Sequence, residues 1–178
     1  MLSPDQKGSI AEAAIVLEAI KLGIGVYKPL TDGDRYDLIF DVRHDLVRVQ
    51  CKWAAFERDV IVIRCYSSRR CRDGFRKRGY TSDEVDAIAA YCEHTDRCYF
   101  LPMRVLAGRI TINLRSSPTQ NNQRLGVNWA GDFEFAATLG GAGAVAQLGE
   151  RLTGSQKVTG SSPVGSITEG RVHLLPRG

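Results

Sequence analysis

The sequence has no apolar run approaching the roughly 18 residues that a membrane-spanning helix needs. Its opening residues, MLSPDQKGS, also lack the charged-then-apolar order of a secretory signal. Both absences point to a cytoplasmic or nucleoid-associated protein with no membrane partner. Its five cysteines are odd in number and contain no C-x-x-C pair, which argues against a disulfide framework and a zinc ribbon. Cys51, Cys65, Cys71, Cys92 and Cys98 therefore read as reduced core or loop residues. No internal repeat is present, and aromatic residues vanish from residue 140 onward.

What is present suits one soluble domain. The chain has 178 residues, 43% of them hydrophobic and 25% charged, and single domains commonly run to about 100–150 residues. The most informative stretch is 36–52, YDLIFDVRHDLVRVQCK. Two alternating runs flank the polar Arg43-His44-Asp45, predicting an antiparallel hairpin. Val47, Val49 and Cys51 share one face of the second run, so Arg48, Gln50 and Lys52 share the other. Asp37 is out of phase with Tyr36, Leu38 and Phe40, which lets it point toward Gln50 and Lys52. An acid, an amide and a lysine then converge, either as a working site or as an ordinary polar strand face.

Before this hairpin, Ser9 opens a helix with an apolar pattern through Ile10, Ala13, Ala14, Leu17 and Ile20, closed by Gly23 or Gly25. Ser9-Ile10-Ala11-Glu12 has the form of a capping box, so Glu12 taken alone reads first as a cap and second as a catalytic group. Val26 and Tyr27 begin a short strand, and 29–35 (PLTDGDR) is a turn-rich connection in which Asp32 and Asp34 read as solvated. After the hairpin, 60–66 (VIVIRCY) is a β-branched strand expected in the same sheet.

The net charge of +4 is mild but unevenly spread. Between residues 64 and 78 stand Arg64, Arg69, Arg70, Arg72, Arg76, Lys77 and Arg78 against the single acid Asp73. Such a run suits phosphate contacts, through paired arginine hydrogen bonds and counterion release. The same run would also serve as a plain solvated loop. Residues 67–80 lack a clean period and read as a loop or ribbon reaching over a ligand. A second hairpin follows, with runs at 85–91 and 98–102 about a turn containing His94, which reads as an ordinary turn histidine. Residues 104–114 fit strand or short helix, and 115–124 form a polar linker. Trp129 and 132–135 are expected to pack back onto the domain.

Two units result, 1–139 as the folded domain and 140–178 as a flexible tail rich in glycine and serine. Gly160-Ser161-Ser162-Pro163 can be encoded by GGT-TCG-AGT-CCN, a tRNA T-arm. Ala146-Gln147-Leu148-Gly149 can be encoded by GCN-CAR-YTG-GN, a D-arm, and the two are separated as in a tRNA gene. Residues 143–167 therefore resemble translation through such a gene, a feature consistent also with a decayed reading frame.

A helical Glu12, a strand Asp37 and Gln50-Cys51-Lys52 on the next strand resemble, in order and spacing, the PD-(D/E)XK nuclease superfamily. KGSIAEAAIVLEAIKLGIGVYKPLTDGDRYDLIFDVRHDLVRVQCK and YTSDEVDAIAAYCEHTDRCYFLP are similar to its group I intron-encoded homing endonuclease branch, over residues 7–102. The resemblance implies an α/β, restriction-endonuclease-like fold, a central mixed β-sheet flanked by helices, and a Mg²⁺-dependent (or Mn²⁺-dependent) DNA endonuclease. It implies Asp37 as central metal ligand, with the Cys51 backbone carbonyl and the Gln50 amide oxygen beside it. Lys52 would stabilise developing charge or orient the attacking water, and Glu12 would act through a water on the metal or a second ion. Gln50 departs from the pattern, which has aspartate or glutamate there. An amide carries no full charge, so metal demand should rise. Arg69, Arg70, Arg72, Arg76, Lys77 and Arg78 are the candidate contacts to double-stranded DNA. Cutting both strands needs two sites, which implies a homo-oligomer, a dimer or tetramer. The alternatives are a Holliday-junction resolvase and a DNA-binding protein silenced by Gln50.

Overall fold

The computed structural model describes residues 1–31, 33–118 and 126–140. Asp32, the end of the polar linker and the tail beyond Gly140 lie outside the described residues. In chain order the elements are α1 (Pro4–Lys21), β1 (Gly25–Tyr27), β2 (Leu38–Val42), β3 (Asp45–Trp53), β4 (Ala55–Glu57), β5 (Val60–Arg64), β6 (Tyr66–Cys71), β7 (Gly74–Gly79), β8 (Ala87–Cys92), β9 (Arg97–Pro102), α2 (Met103–Leu106), β10 (Thr111–Arg115) and α3 (Phe135–Leu139).

Helix α1 begins earlier than Ser9. Ser3 is its cap: the Ser3 hydroxyl accepts from the Gln6 backbone N–H at 3.1 Å, and Gln6 Oε1 accepts from the Ser3 N–H at 2.9 Å. Pro4 follows, with its backbone angle already suited to a first helical residue. That combination outcompetes Ser9, so Glu12 is a mid-helix residue and not a cap. Gly23, at φ +75°, closes the helix as expected. The buried face differs too. Ala11, Ile15 and Ala19 are fully buried, whereas Ile10, Leu17 and Ile20 are exposed. Both rows have helical spacing, and the one with small residues at its ends lies close against the sheet.

The central sheet runs β1-β2-β3-β8-β9, with β3 parallel to β8 and every other pair antiparallel. The expected 36–52 hairpin is present as β2 and β3, with Leu38 opposite Val49 and Phe40 opposite Val47. Arg43 and His44 both take positive φ, +52° and +83°, the backbone of a tight turn whose twist matches its strands. One face packs on α1 and α3 through Ile15, Leu38, Phe40, Val49 and Phe100. Phe135 of α3 meets the rings of Phe40 and Phe100 edge-on, at 6.2 and 6.0 Å. The 132–135 segment thus packs back as expected. Phe135→Leu should cost about 1–2 kcal/mol, read as a lower denaturant midpoint at unchanged slope.

The second face of the sheet corrects one expectation. Strand β5 does not join the central sheet but lies in a three-stranded sheet ordered β10-β5-β4. Arg58 and Asp59, both at positive φ, fold β5 back on β4. Ile61, Ile63, Ile112 and Leu114 then pack beneath Ile88 and Leu101 of the central sheet. Residues 104–114 contain both a helical turn, α2, and a strand, β10. His94 is a packing residue, its ring stacked on Phe56 at 3.9 Å. The described cysteines, all five, are free thiols, and Cys71 alone is exposed.

Candidate active site

Alternation along β3 places the site. Val47, Val49 and Cys51 are buried in the helix-side core, so Arg48, Gln50 and Lys52 project to the other side. Arg48 is taken up structurally: its guanidinium donates to both carboxylate oxygens of Asp86, at 3.0 and 2.8 Å. Gln50 and Lys52 remain.

Asp37 lies just before β2 and is fixed to β3 by its backbone N–H, which donates to the Val49 carbonyl at 2.9 Å. Its carboxylate accepts from the Cys51 N–H at 2.8 Å and from the Gln50 amide Nε2. The same Nε2 donates to the Cys51 carbonyl at 3.3 Å. Asp37, Gln50 and the Cys51 carbonyl therefore form one knot, and Gln50 is only 8% exposed. Burial raises the Asp37 carboxyl above its ordinary value, with the Cys51 N–H and the Lys52 charge pulling the other way. Burial likewise lowers the Lys52 ammonium, with Asp37 opposing.

Glu12, Lys28 and Asp37 line a single polar cleft of about 140 Å³, together with Asp34 and Tyr36. Glu12 accepts from Lys28 Nζ at 2.8 Å. Lys28 was invisible in the sequence because it follows a three-residue strand and belongs to no motif. Also missed was Tyr80, whose hydroxyl accepts from Lys52 Nζ at 2.7 Å.

The residues suit a hard divalent cation. Two oxygens, one from Asp37 and one from Cys51, already point at a shared donor, and rotating the Gln50 amide would add a third. Among the described residues no three His, Cys, Asp or Glu side chains gather into a self-sufficient metal cluster. Magnesium does not require one, since it retains waters and takes few protein ligands.

The basic stretch is a two-stranded antiparallel ribbon, β6 with β7. Arg69, Arg70, Arg72, Arg76, Lys77 and Arg78 are all exposed on it. One face pairs Arg69 with Arg76, and the other pairs Arg70 with Phe75 and Ser68 with Lys77. Phe75 near the tip is 72% exposed and was not singled out by sequence. Arg78 is tied to the root of the ribbon by an ion pair with Glu84.

A scan against protein families matches residues 2–136 to the family described as PD-(D/E)XK endonuclease. The chain belongs to this family. Its fold as a PD-(D/E)XK endonuclease is also similar to the solved structure of a bacterial homing endonuclease, I-Ssp6803I, with a TM-score of 0.65 and 27% sequence identity. That similarity covers 82% of this chain and 98% of the other. A comparison with the curated proteins gives no match. The structure brings Asp37, Gln50 and the Cys51 carbonyl into contact and sets Glu12 with Asp37 on one cleft.

Proposed function

We propose that this PD-(D/E)XK chain is a metal-dependent endonuclease that hydrolyses phosphodiester bonds of double-stranded DNA at a specific site, as a homing enzyme. The observation that carries this reading is the knot of Asp37, Gln50 and the Cys51 carbonyl beside Lys52. A bound Mg²⁺, or Mn²⁺ in its place, would supply stabilisation of the negative charge on the phosphoryl group. Asp37 would hold that cation with the only full negative charge of the knot. The Cys51 carbonyl and the Gln50 amide oxygen, once rotated inward, would complete its protein ligands, and Glu12 would act from the adjoining cleft, where Lys28 competes for its carboxylate. Lys52 carries its charge in a mostly buried place, where it counts more against a developing anion than it would in water. The folded nuclease unit is residues 1–139, acting in the cytoplasm.

The ribbon is the DNA grip. A two-stranded β-ribbon fits the major groove of B-DNA. Arg69 directly opposite Arg76 is unfavourable in isolation, and a polyanion relieves it. Arg69→Ala and Arg76→Ala should each weaken binding regardless of sequence. Each should also lower the slope of log K against log salt by about 0.9, as read by fluorescence anisotropy over a salt series. A dimer or tetramer supplies one site per strand, and the exposed row Ile10, Leu17 and Ile20 on α1 offers a second copy an apolar surface.

The deciding experiment incubates the protein with a duplex of its own genomic surroundings, intervening sequence removed, and Mg²⁺. A unique cut supports homing. Cleavage confined to four-way junctions would replace it with a resolvase. Gln50 is the observation favouring a second reading, a silent DNA binder, which tight binding without any cut in Mg²⁺ or Mn²⁺ would establish.

A further inference from the structure

Lys52 is held by a residue outside the nuclease motif. Its Nζ donates to the Tyr80 hydroxyl at 2.7 Å and lies 4.9 Å from the centre of that ring. Tyr80 directly follows Gly79, the last residue of the basic ribbon, so it is part of the ribbon's root. Arg35 locks the root. Its guanidinium stacks on the Tyr80 ring at 4.3 Å and donates to Ser67 Oγ at 2.8 Å and to the Gly79 carbonyl at 2.9 Å, gripping both ribbon strands. Glu84 joins the assembly, pairing with Arg35 at 3.3 Å and with Arg78 of the ribbon. A chain of contacts thus leads from the exposed arginines to the ammonium of Lys52.

Accepting the nuclease reading, we infer that Tyr80 is a positioning residue that aims Lys52 and ties its placement to the seating of the ribbon on DNA. The physical reasons are chemical and geometric. A lysine on four rotatable bonds is poorly directed by its own backbone. One hydrogen bond to a ring fixed by packing selects a single direction for Nζ and leaves two N–H groups for a phosphate oxygen or a water. The ring in turn is held by Arg35 stacked on it and by the second core layer, against which Tyr80 packs. A residue needed only for packing would require the ring and not the hydroxyl, and this separates the two roles.

Tyr80→Phe keeps the ring and its stacking with Arg35 and removes only the acceptor. On saturating target duplex with Mg²⁺, single-turnover cleavage should fall roughly 10- to 100-fold, the scale of a lost hydrogen bond to a charged group. The dissociation constant for DNA and the melting temperature should stay near wild type. A second readout does not depend on cleavage. The ¹H–¹⁵N signal of the Lys52 ammonium, slowed in exchange by the bond to Tyr80, should be resolved in the wild type and broaden away in Tyr80→Phe. It should also shift when target duplex is added to the wild type. An unchanged ammonium signal in Tyr80→Phe, or a rate loss explained wholly by weaker DNA binding, overturns the assignment. A wild type that never cuts, while the two ammonium signals still differ, instead overturns the nuclease reading and with it any catalytic use of the bond.

Discussion

Alanine at Asp37 or at Lys52 is expected to remove cleavage while leaving DNA binding near wild type. In the proposed mechanism Lys52→Ala deletes the charge that faces the developing anion, a loss on the order of 10²- to 10³-fold or more at other preorganised sites. Asp37→Ala acts through the cation, because nothing else in the knot with Gln50 and the Cys51 carbonyl carries full charge. Its Cys51 and Gln50 donors would lose their acceptor, at about 1–3 kcal/mol each where water cannot replace it. Removal of a carboxylate whose charged form burial disfavours works in the opposite direction. The two effects oppose each other in the metal-free melting temperature. Mn²⁺ should raise the melting temperature in the wild type, by binding the folded state alone, and fail to do so in Asp37→Ala. The sign with pH follows from the raised carboxyl. With ionised Asp37 as the proposed ligand, the Mn²⁺-induced gain should be lost as pH falls through the raised value, at a higher pH than a carboxyl at its ordinary 3.8 would give. Undiminished Mn²⁺ stabilisation in Asp37→Ala, or wild-type cutting by Lys52→Ala, would remove these residues from the site.

The hairpin that carries Asp37, Gln50 and Lys52 was legible because strand side chains alternate, and one buried face fixes the register of the other. β-branched composition named 60–66 as a strand, which ends at Arg64, but assigned it to the wrong sheet. Sheet membership was decided by the backbone at Arg58 and Asp59, where positive φ in non-glycine residues leaves no compositional mark. On α1 two apolar rows compete for the core, and the row with more side-chain volume is the exposed one. Close approach to the sheet favours Ala11 and Ala19, a criterion that sequence periodicity alone does not weigh. Ser9 was read as the cap, whereas Ser3 caps the helix, and the proline after Ser3 suits the first helical position. Tyr80, Lys28 and Arg35 were missed for a different reason. Lys52 and Tyr80 are 28 residues apart, and their contact exists only after the ribbon root has folded over the sheet. Motif reading finds residues that share a local spacing, while the groups that aim them arrive from elsewhere in the chain.

Gln50→Glu is expected to lower the Mg²⁺ concentration needed for cleavage by about tenfold or more, since a second carboxylate adds a full charge to the ligand set. The cost should appear in the metal-free protein. The Gln50 amide now donates to the Asp37 carboxylate and to the Cys51 carbonyl, so its N–H₂ group satisfies the same oxygens that a cation would hold. An introduced carboxylate has no proton to donate when ionised, and two buried acids side by side cannot both carry charge without penalty. One of them takes up a proton, or the fold loses stability. The metal-free variant should therefore melt below the wild type at neutral pH, and the deficit should shrink as pH falls and the pair becomes protonated. With Mn²⁺ added the order should reverse, giving a larger gain in melting temperature than the wild type shows. Glutamine is, on this account, the residue that keeps the knot satisfied when no cation is bound, at the expense of affinity when one is. Calorimetric titration with Mn²⁺ checks this directly. Equal affinities in the two proteins would mean that the Gln50 side chain does not face the cation, and the departure from the acidic pattern would then bear on neither metal demand nor activity.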